Sequence, residues 1–160
     1  MTDTPLPSEC PEADIPAAVR RVVAFFERLT PGDLPRLSSL YAPQARFKDP
    51  FNEVQGLAAI EAIFRHMFKA LDTPHFVVTT QVVQGPQCFL VWEFRFRFRS
   101  RSSSLETAPW QTVHGSTHLI FDDAGHIALH RDYWDAAEEL YEKLPVLGAL
   151  MRWLKRRARG

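Results

Sequence analysis

Residues 89–99 place the strongest constraint on the fold, because apolar and charged side chains alternate there with a period of two. One set is apolar and largely aromatic, and consists of Leu90, Trp92, Phe94, Phe96 and Phe98. The other set is largely charged, and consists of Val91, Glu93, Arg95, Arg97 and Arg99. Successive side chains of a strand point to opposite faces of a sheet. The run therefore predicts a long strand with one buried aromatic face and one charged face.

Helical patterns precede this strand. Apolar residues recur at helical spacing in three segments, which begin near Ile15, Asp33 and Leu57, and the stripe of the second segment extends to Tyr41. A short strand that ends at Asp49 separates the second segment from the third. The order of these patterns predicts an α+β fold, in which three N-terminal helices pack on one face of a curved antiparallel sheet. The other predicted strands cover residues 75–83, 110–121 and 126–134.

The 160 residues have the length of one domain, flanked by two segments of different composition. Residues 1–14 are rich in proline and acidic side chains, which predicts a disordered leader. Residues 15–135 are expected to form the folded domain. Residues 136–160 predict a C-terminal amphipathic helix with a basic end. Such a helix suits a membrane surface or, in the interpretation we favour, a position over the mouth of a pocket.

The composition argues against several classes of protein. Lys and Arg total 19 and Asp and Glu total 19, so the formal net charge is zero, and the aromatic rings of the alternating strand lie opposite its arginines, which argues against nucleic-acid binding. Cys10 and Cys88 have neither zinc-site nor redox-motif spacing, and no secretory signal is evident, which favours a cytoplasmic protein with reduced thiols. No phosphate-binding glycine loop and no convincing metal-ligand set is present, so we expect neither a cofactor nor a metal.

Asp49 is the strongest candidate for a general base. It lies at the end of the short strand, immediately before Pro50, and a proline holds the residue before it in an extended conformation. Strand ends are where small α+β domains open their pockets. The competing interpretation is that Asp49 accepts hydrogen bonds from nearby backbone amides and only caps a turn.

Three segments carry a resemblance to a known family. They are Thr30-Pro31-Gly32-Asp33-Leu34, Phe47-Lys48-Asp49-Pro50, and the closing hairpin from His118-Leu119-Ile120-Phe121 to Trp134. In this order the chain resembles the nuclear transport factor 2-like superfamily, in particular its SnoaL-like and ketosteroid-isomerase-like branch. The resemblance covers residues 16–135 and implies a cone-shaped α+β domain with a pocket, in a family where dimers formed through the sheet are usual.

The resemblance implies a role for Asp49 and leaves two other roles unfilled. Asp49 matches the proton-shuttling aspartate of the isomerase branch. Phe25 falls where that branch has its oxyanion tyrosine, and Thr117 falls near its protonated aspartate, so both donors of the familiar design are missing or weakened. Removal of one oxyanion donor costs roughly 3–4 kcal/mol in other enzymes. A steroid isomerase of that design is therefore not expected.

The closing strand offers a second polar group. If Asp132 faces the pocket, alternation places His130 and Trp134 on the same face and turns Arg131 and Tyr133 away. His130 would then serve as a donor or acid, with Asp132 orienting it or acting as a second carboxylate. The competing interpretations are a hydrogen-bonded pair that only braces the strand, and a register slip that exchanges the two faces.

These observations together favour a cofactor-independent isomerase or cyclase that binds a small hydrophobic molecule. Asp49, His130 and Asp132 are its expected catalytic residues. The alternative is a non-catalytic domain for ligand binding or assembly. The charged sheet face is expected to pair with acids across a homodimer, or else to be solvated. The expected ligand-binding residues are Phe25, Phe26, Tyr41, Phe64, Trp92, Phe94, Thr117 and Trp134.

Overall fold

The computed structural model describes residues 14–99 and 109–136. Its helices and strands follow one another as α1 (Ile15–Glu27), a 3-10 helix (Pro31–Ser39), β1 (Tyr41–Lys48), β2 (Glu53–Gln55), α2 (Leu57–Ala70), β3 (Leu71–Gln84), β4 (Gln87–Phe98), β5 (Gln111–Phe121) and β6 (Ile127–Tyr133).

The six strands form one mixed sheet in the order β2-β1-β6-β5-β4-β3. Strands β3 to β6 form the antiparallel meander that the sequence predicts, but β1 pairs with β6 in parallel. The expectation of a wholly antiparallel sheet is therefore wrong. Alternation of side chains shows which face of a strand is buried, but carries no information about the direction of the neighbouring strand.

The helical segments differ from the predictions in three details. The second segment is a 3-10 helix with Pro35 inside it, and Tyr41 begins β1 instead of ending that helix. β1 lies before α2, where the sequence predicts the strand that ends at Asp49, but a second short strand that was not predicted, β2, follows it. Asp14, the last residue of the predicted leader, caps α1 by accepting a hydrogen bond from the Ala17 amide at 3.0 Å. The rest of the leader, and the predicted C-terminal helix beyond Ala136, lie outside the described residues.

The core lies between the helices and one face of the sheet. Apolar residues at helical spacing on α1 and α2 pack against inward-facing side chains of β1, β4, β5 and β6. Register shifts in β3 after Asp72 and after Val78 are the bulges that bend a sheet around such a layer. The opposite face of the sheet carries exposed side chains. The most completely buried side chains of the core include Leu37, Tyr41, Ile60, Leu119 and Ile127.

Candidate active site

Strand β6 presents a polar pair to the interior of the protein. The side chains of His130 and Asp132 are only 7% and 18% exposed, whereas Arg131 and Tyr133 point outward and are exposed. This is the arrangement that alternation along the strand predicts. Imidazole and carboxylate therefore lie on the face that packs against the helices.

A chain of hydrogen bonds runs through this pair. The Tyr41 hydroxyl lies 2.6 Å from His130 Nδ1, and His130 Nε2 lies 3.0 Å from Asp132 Oδ1. On the other side, Thr117 Oγ1 donates to the same Oδ1 atom at 2.5 Å, and Trp92 Nε1 donates to Thr117 Oγ1 at 2.7 Å. Two arms of the network thus meet at Asp132 Oδ1.

The chemistry of the donors determines the direction of both arms. An indole N–H can only donate, so the Thr117 hydroxyl accepts from Trp92 and gives its single proton to Asp132. Burial raises the pKa of the Tyr41 phenol well above its ordinary value, and the charge of Asp132 raises it further. The phenol therefore keeps its proton. Donation of that proton to His130 Nδ1 places the N–H of the imidazole on Nε2, which then donates to Asp132. Every donor in the network stabilises negative charge on Asp132.

An aromatic cavity of about 420 Å³ opens beside Asp132, between the inner face of the sheet and α2. This volume falls within the range of about 300–1,000 Å³ that is typical of small-molecule sites. Its polar side chains are those of Asp49, Asn52, His66 and Asp132. Nine of the described residues that line it carry a phenyl or indole ring: Phe47, Phe51, Phe64, Phe76, Trp92, Phe94, Phe96, Phe98 and Trp134.

Two further spaces, one smaller and one larger, adjoin the aromatic cavity at Asp132. A void of about 40 Å³ lies against Phe26, Thr117 and His130, and is large enough for about one or two water molecules. An open outer cleft of about 520 Å³ is lined by both Asp132 and Asp49. Among residues 14–99 and 109–136, Asp132 is therefore the one polar side chain that borders all three spaces.

The parallel pairing of β1 with β6 explains why Asp49 and Asp132 lie near the same cavity. Lys48 pairs with Arg131, so the two strands end at the same edge of the sheet. Asp49 follows β1 directly, and Asp132 lies near the end of β6. In an antiparallel pairing these two ends would lie at opposite edges.

The Asp49 carboxylate is engaged in a tight turn. Asp49 Oδ1 accepts hydrogen bonds from the backbone amides of Phe51 at 2.7 Å and Asn52 at 2.6 Å. The Asn52 side-chain amide donates to both carboxylate oxygens, at 3.1 and 3.0 Å. Aspartates hold turns of this kind elsewhere. The carboxylate is at the rim of the aromatic cavity, but four donor contacts hold it in place.

Residues 14–99 and 109–136 contain no group of three or more His, Cys, Asp or Glu side chains placed to hold a metal ion. No helix in this part of the chain is long and apolar enough to cross a membrane.

Comparison with family models identifies the fold. The model described as a SnoaL-like domain matches residues 22–130, which is most of the chain. The chain belongs to the SnoaL-like family. No curated protein matches its sequence.

Solved structures similar to this SnoaL-like domain share its nuclear transport factor 2-like fold. An NTF2-like protein of unknown function from Burkholderia pseudomallei is 18% identical with a TM-score of 0.65, over 79% of this chain and 94% of that chain. A putative SnoaL-like polyketide cyclase from a Jannaschia species is 18% identical with a TM-score of 0.62, over 80% and 90%. A Catenulispora acidiphila protein of ketosteroid-isomerase-like fold, in complex with trimethylamine, is 16% identical with a TM-score of 0.63, over 78% and 90%.

The predicted ligand-binding residues occupy three kinds of position in this SnoaL-like domain. Phe64, Trp92, Phe94 and Trp134 line the aromatic cavity, and Phe26 lines the adjoining void. Thr117 lines the same void as Phe26, whereas Tyr41 lines none of the three spaces, and each belongs to one arm of the Asp132 network. Phe25, at the position of the isomerase tyrosine, is not among the lining residues of these spaces, and instead packs beside Phe26 with the Arg36 guanidinium over its ring.

Sequence analysis missed two residues that shape the SnoaL-like site. Phe76 on β3 lines the cavity and stacks on Phe94 with ring centroids 4.5 Å apart. Gly115 pairs with Trp92 across β4 and β5, and a Cβ at position 115 would lie only 2.4 Å from the Trp92 ring. A glycine in the middle of a strand is the signal that indicates such a close approach.

Proposed function

We propose that this SnoaL-like domain binds a small hydrophobic molecule in the aromatic cavity and moves a proton on it, with the Asp132 carboxylate as the base. The observation that carries the proposal is the network that converges on Asp132 at the wall of that cavity. The reaction would be an isomerisation, cyclisation or hydration of a carbonyl-bearing molecule. The similar Jannaschia protein is described as a putative polyketide cyclase, which is chemistry of this class.

The geometry supports Asp132 as the base for two reasons. The hydrogen bonds from His130 and Thr117 both end on Oδ1, so within the described residues the contacts leave Oδ2 for a ligand. Aromatic walls exclude water, which strengthens the interaction of a carboxylate with a substrate proton. His130 and Tyr41 do not line the aromatic cavity and act as positioning residues, because they reach the ligand only through Asp132.

The role of Asp49 as the base stays a prediction. The turn that holds its carboxylate does not favour this role. Its carboxylate would have to leave hydrogen bonds from Phe51 and Asn52 before it could approach a substrate carbon. Because the turn fixes its position, the Asp49 carboxylate is better suited to supply a fixed negative charge at the rim of the aromatic cavity than to move toward a substrate proton.

A rate measurement on a neutral probe separates these roles. We choose 2-tetralone, a bicyclic ketone with acidic C–H bonds, and follow its exchange with deuterated water by NMR. We expect Asp132→Asn to lower the exchange rate at least about 100-fold, in line with the loss of a general base. Asp49→Asn is expected to lower it by less than tenfold.

Binding of the same probe decides the alternative function. Quenching of tryptophan fluorescence reports occupancy, because Trp92 and Trp134 line the cavity. Binding without exchange by the wild-type protein would favour the non-catalytic ligand-binding domain, for which the enclosed aromatic lining is the supporting observation. A rate lost in Asp49→Asn and kept in Asp132→Asn would overturn the assignment of the base.

We further propose that the domain is a homodimer formed through the outer face of the sheet, in a cytoplasmic protein. Exposed apolar side chains on β3, β4 and β6 support the dimer. The arginines of the outer face are expected to pair with acidic residues of a second copy. Within one chain, however, Arg95 already forms an ion pair with Glu93, in which the Arg95 Nη2 and Glu93 Oε2 atoms are 2.6 Å apart. The unpaired, buried thiol of Cys88 supports a reducing location.

A further inference from the structure

We propose that the aromatic cavity selects ligands that carry a positive charge, such as a hydrophobic molecule with an ammonium group. The Asp49 carboxylate is the group that attracts this charge. The inference rests on the proposed function in one respect, which is that the aromatic cavity is the ligand site. It adds the electrostatic class of the ligand and a role for Asp49 that differs from the role of a base.

The composition of the lining is the first argument. Among the 18 described residues that line the cavity, two are aspartates and none is lysine or arginine. Nine more are aromatic, and an aromatic face carries partial negative charge at its centre. A cation gains from both kinds of group, while an anion is repelled by both.

The basic side chains of the adjoining outer cleft are engaged elsewhere, which is the second argument. Lys48 and Arg131 line the outer cleft but not the cavity. Lys48 Nζ lies 2.5 Å from Glu53, and the Arg131 guanidinium lies over the ring of Tyr133 at 4.9 Å. Within the described part of the chain, no lysine or arginine forms an ion pair with either cavity aspartate.

The mouth of the cavity supplies a place for the cation, which is the third argument. Asp49 lies there with two aromatic side chains, Phe51 and Trp134, whose rings meet edge to face with centroids 5.2 Å apart. The turn holds the Asp49 carboxylate fixed, and three of the four donor contacts fall on Oδ1, so the negative charge on Oδ2 is left to attract a cationic group of the ligand. An ammonium group at the mouth leaves Asp132 free to act on the apolar part of the ligand.

Matched ligands test the preference for charge. Phenyltrimethylammonium and tert-butylbenzene have the same shape and differ by one unit of charge. Titrations of the full chain at low ionic strength, followed by tryptophan fluorescence, are expected to show the cation binding at least about tenfold more tightly, since aromatic faces and a fixed carboxylate both favour it. Equal affinities, or tighter binding of tert-butylbenzene, would overturn the inference.

Two variants locate the source of the preference. Asp49→Asn keeps an oxygen that can accept from the turn amides but removes the charge, and should reduce the preference to less than threefold. Asp122→Asn is the matched control, because Asp122 Oδ1 accepts from the amides of Ala124 and His126 in a similar turn before the start of β6. A preference that survives Asp49→Asn unchanged, or that falls equally in both variants, would contradict the role of Asp49.

The outcome also separates this inference from the proposed function. Exchange of 2-tetralone by a protein that shows no preference for the cation would refute the charge selection and support the Asp132 chemistry. Absence of binding by all three molecules would refute both, because the cavity would then not be a ligand site.

Discussion

At the scale of single residues, Asp132 owes its suitability as a base to the hydrogen-bonded neighbours that hold its carboxylate in place. Tyr41 and Trp92 are the outer members of the two hydrogen-bonded arms, and each is buried. A buried donor that loses its acceptor costs about 1–3 kcal/mol, so the network also contributes to the stability of the fold. The proposed catalytic site and the stability of the core are therefore coupled. Substitutions in either hydrogen-bonded arm should change both the free energy of unfolding and the binding of ligand.

Tyr41→Phe tests one arm. The substitution leaves the buried Nδ1 atom of His130 without its donor, so we expect a loss of about 1–2 kcal/mol in the free energy of unfolding at pH 7. The folded-state pKa of Tyr41 is raised, so its contribution is present below the unfolded pKa near 10 and declines as the pH rises above it. Urea unfolding at pH 7 and pH 10.5 should show the difference between the two proteins narrowing at the higher pH. A difference that grows instead would contradict the direction of this linkage.

Gly115→Ala tests the close approach of β5 to the other arm. A methyl group at this position meets the Trp92 ring, which cannot move without breaking its bond to Thr117. We expect a loss of about 1–3 kcal/mol in urea unfolding, together with weaker binding of 2-tetralone. Ser116→Ala, one residue further along the same strand and on its other face, is the control and should stay within about 0.5 kcal/mol.

At the scale of the elements, the alternation in residues 89–99 correctly predicts β4, because a period of two is a direct consequence of strand geometry. It also predicts the burial of Leu90, Trp92 and Phe96, but Phe98, at the end of the strand, is 43% exposed. The same rule predicts that His130 and Asp132 share the inner face of β6. The parallel pairing of β1 with β6 was not predictable in this way, since no side chain in either strand reports the direction of its neighbour. That pairing brings Asp49 and Asp132 to one edge, so the site depends on the part of the topology that the sequence leaves open.

The roles of individual carboxylates were equally difficult to infer. The Asp49-Pro50 pattern indicates a strand end at a pocket, and the structure places Asp49 there. The hydrogen bonds that engage its carboxylate come from Phe51 and Asn52, and depend on a turn conformation that the sequence permits but does not specify. Phe76 was missed because β3 shows no regular alternation, and its bulges change which residues face inward.

Cys88 lies on β4, which is packed between β3 and β5, so the reactivity of its thiol measures how readily this part of the sheet opens. It pairs with Val83 on one side and Leu119 on the other, is fully buried, and burial raises the pKa of its thiol to about 11. The thiolate is the reactive form, so at pH 8 the folded protein holds the thiol in its unreactive state. In a Cys10→Ser background we expect modification by a disulfide reagent to be at least about 100-fold slower in buffer than in 6 M guanidinium chloride. Rapid modification in buffer would show that this part of the sheet opens readily.

At the scale of the whole molecule, the two faces of the sheet have different partners. Helices cover the inner face, and no described helix covers the outer face. Four apolar side chains are between 44% and 56% exposed on that outer face: Val82, Phe89, Val91 and Tyr133. They form the outer patch, in which Val82 pairs with Phe89 and Ser116 lies between Val91 and Tyr133. Exposed apolar side chains on one face of a sheet favour association, and a formal net charge of zero offers little repulsion to oppose it.

Val91→Lys tests whether a second copy of the chain covers this patch. In a symmetric dimer the same patch lies on both sides of the interface, so the substitution places two lysines close together and each loses contact with water. We expect the dissociation constant of the dimer to increase at least about 100-fold, which light scattering after size-exclusion chromatography and sedimentation velocity would detect as a shift from dimer to monomer. Ala24→Lys is the matched control, because Ala24 is also an exposed apolar residue but lies on α1, on the other side of the sheet. A wild-type protein that is monomeric at 100 times the concentration used for the binding titrations would exclude the outer face as the interface. A Val91→Lys variant that dimerises as well as the wild type would exclude it too.

Strand β6 links the outer patch to the cavity, because it contributes Tyr133 to the patch and Asp132 to the cavity. If association of two copies stiffens this strand, loss of the dimer should change the affinity for 2-tetralone. Titration of 2-tetralone into the Val91→Lys and Ala24→Lys variants measures that coupling.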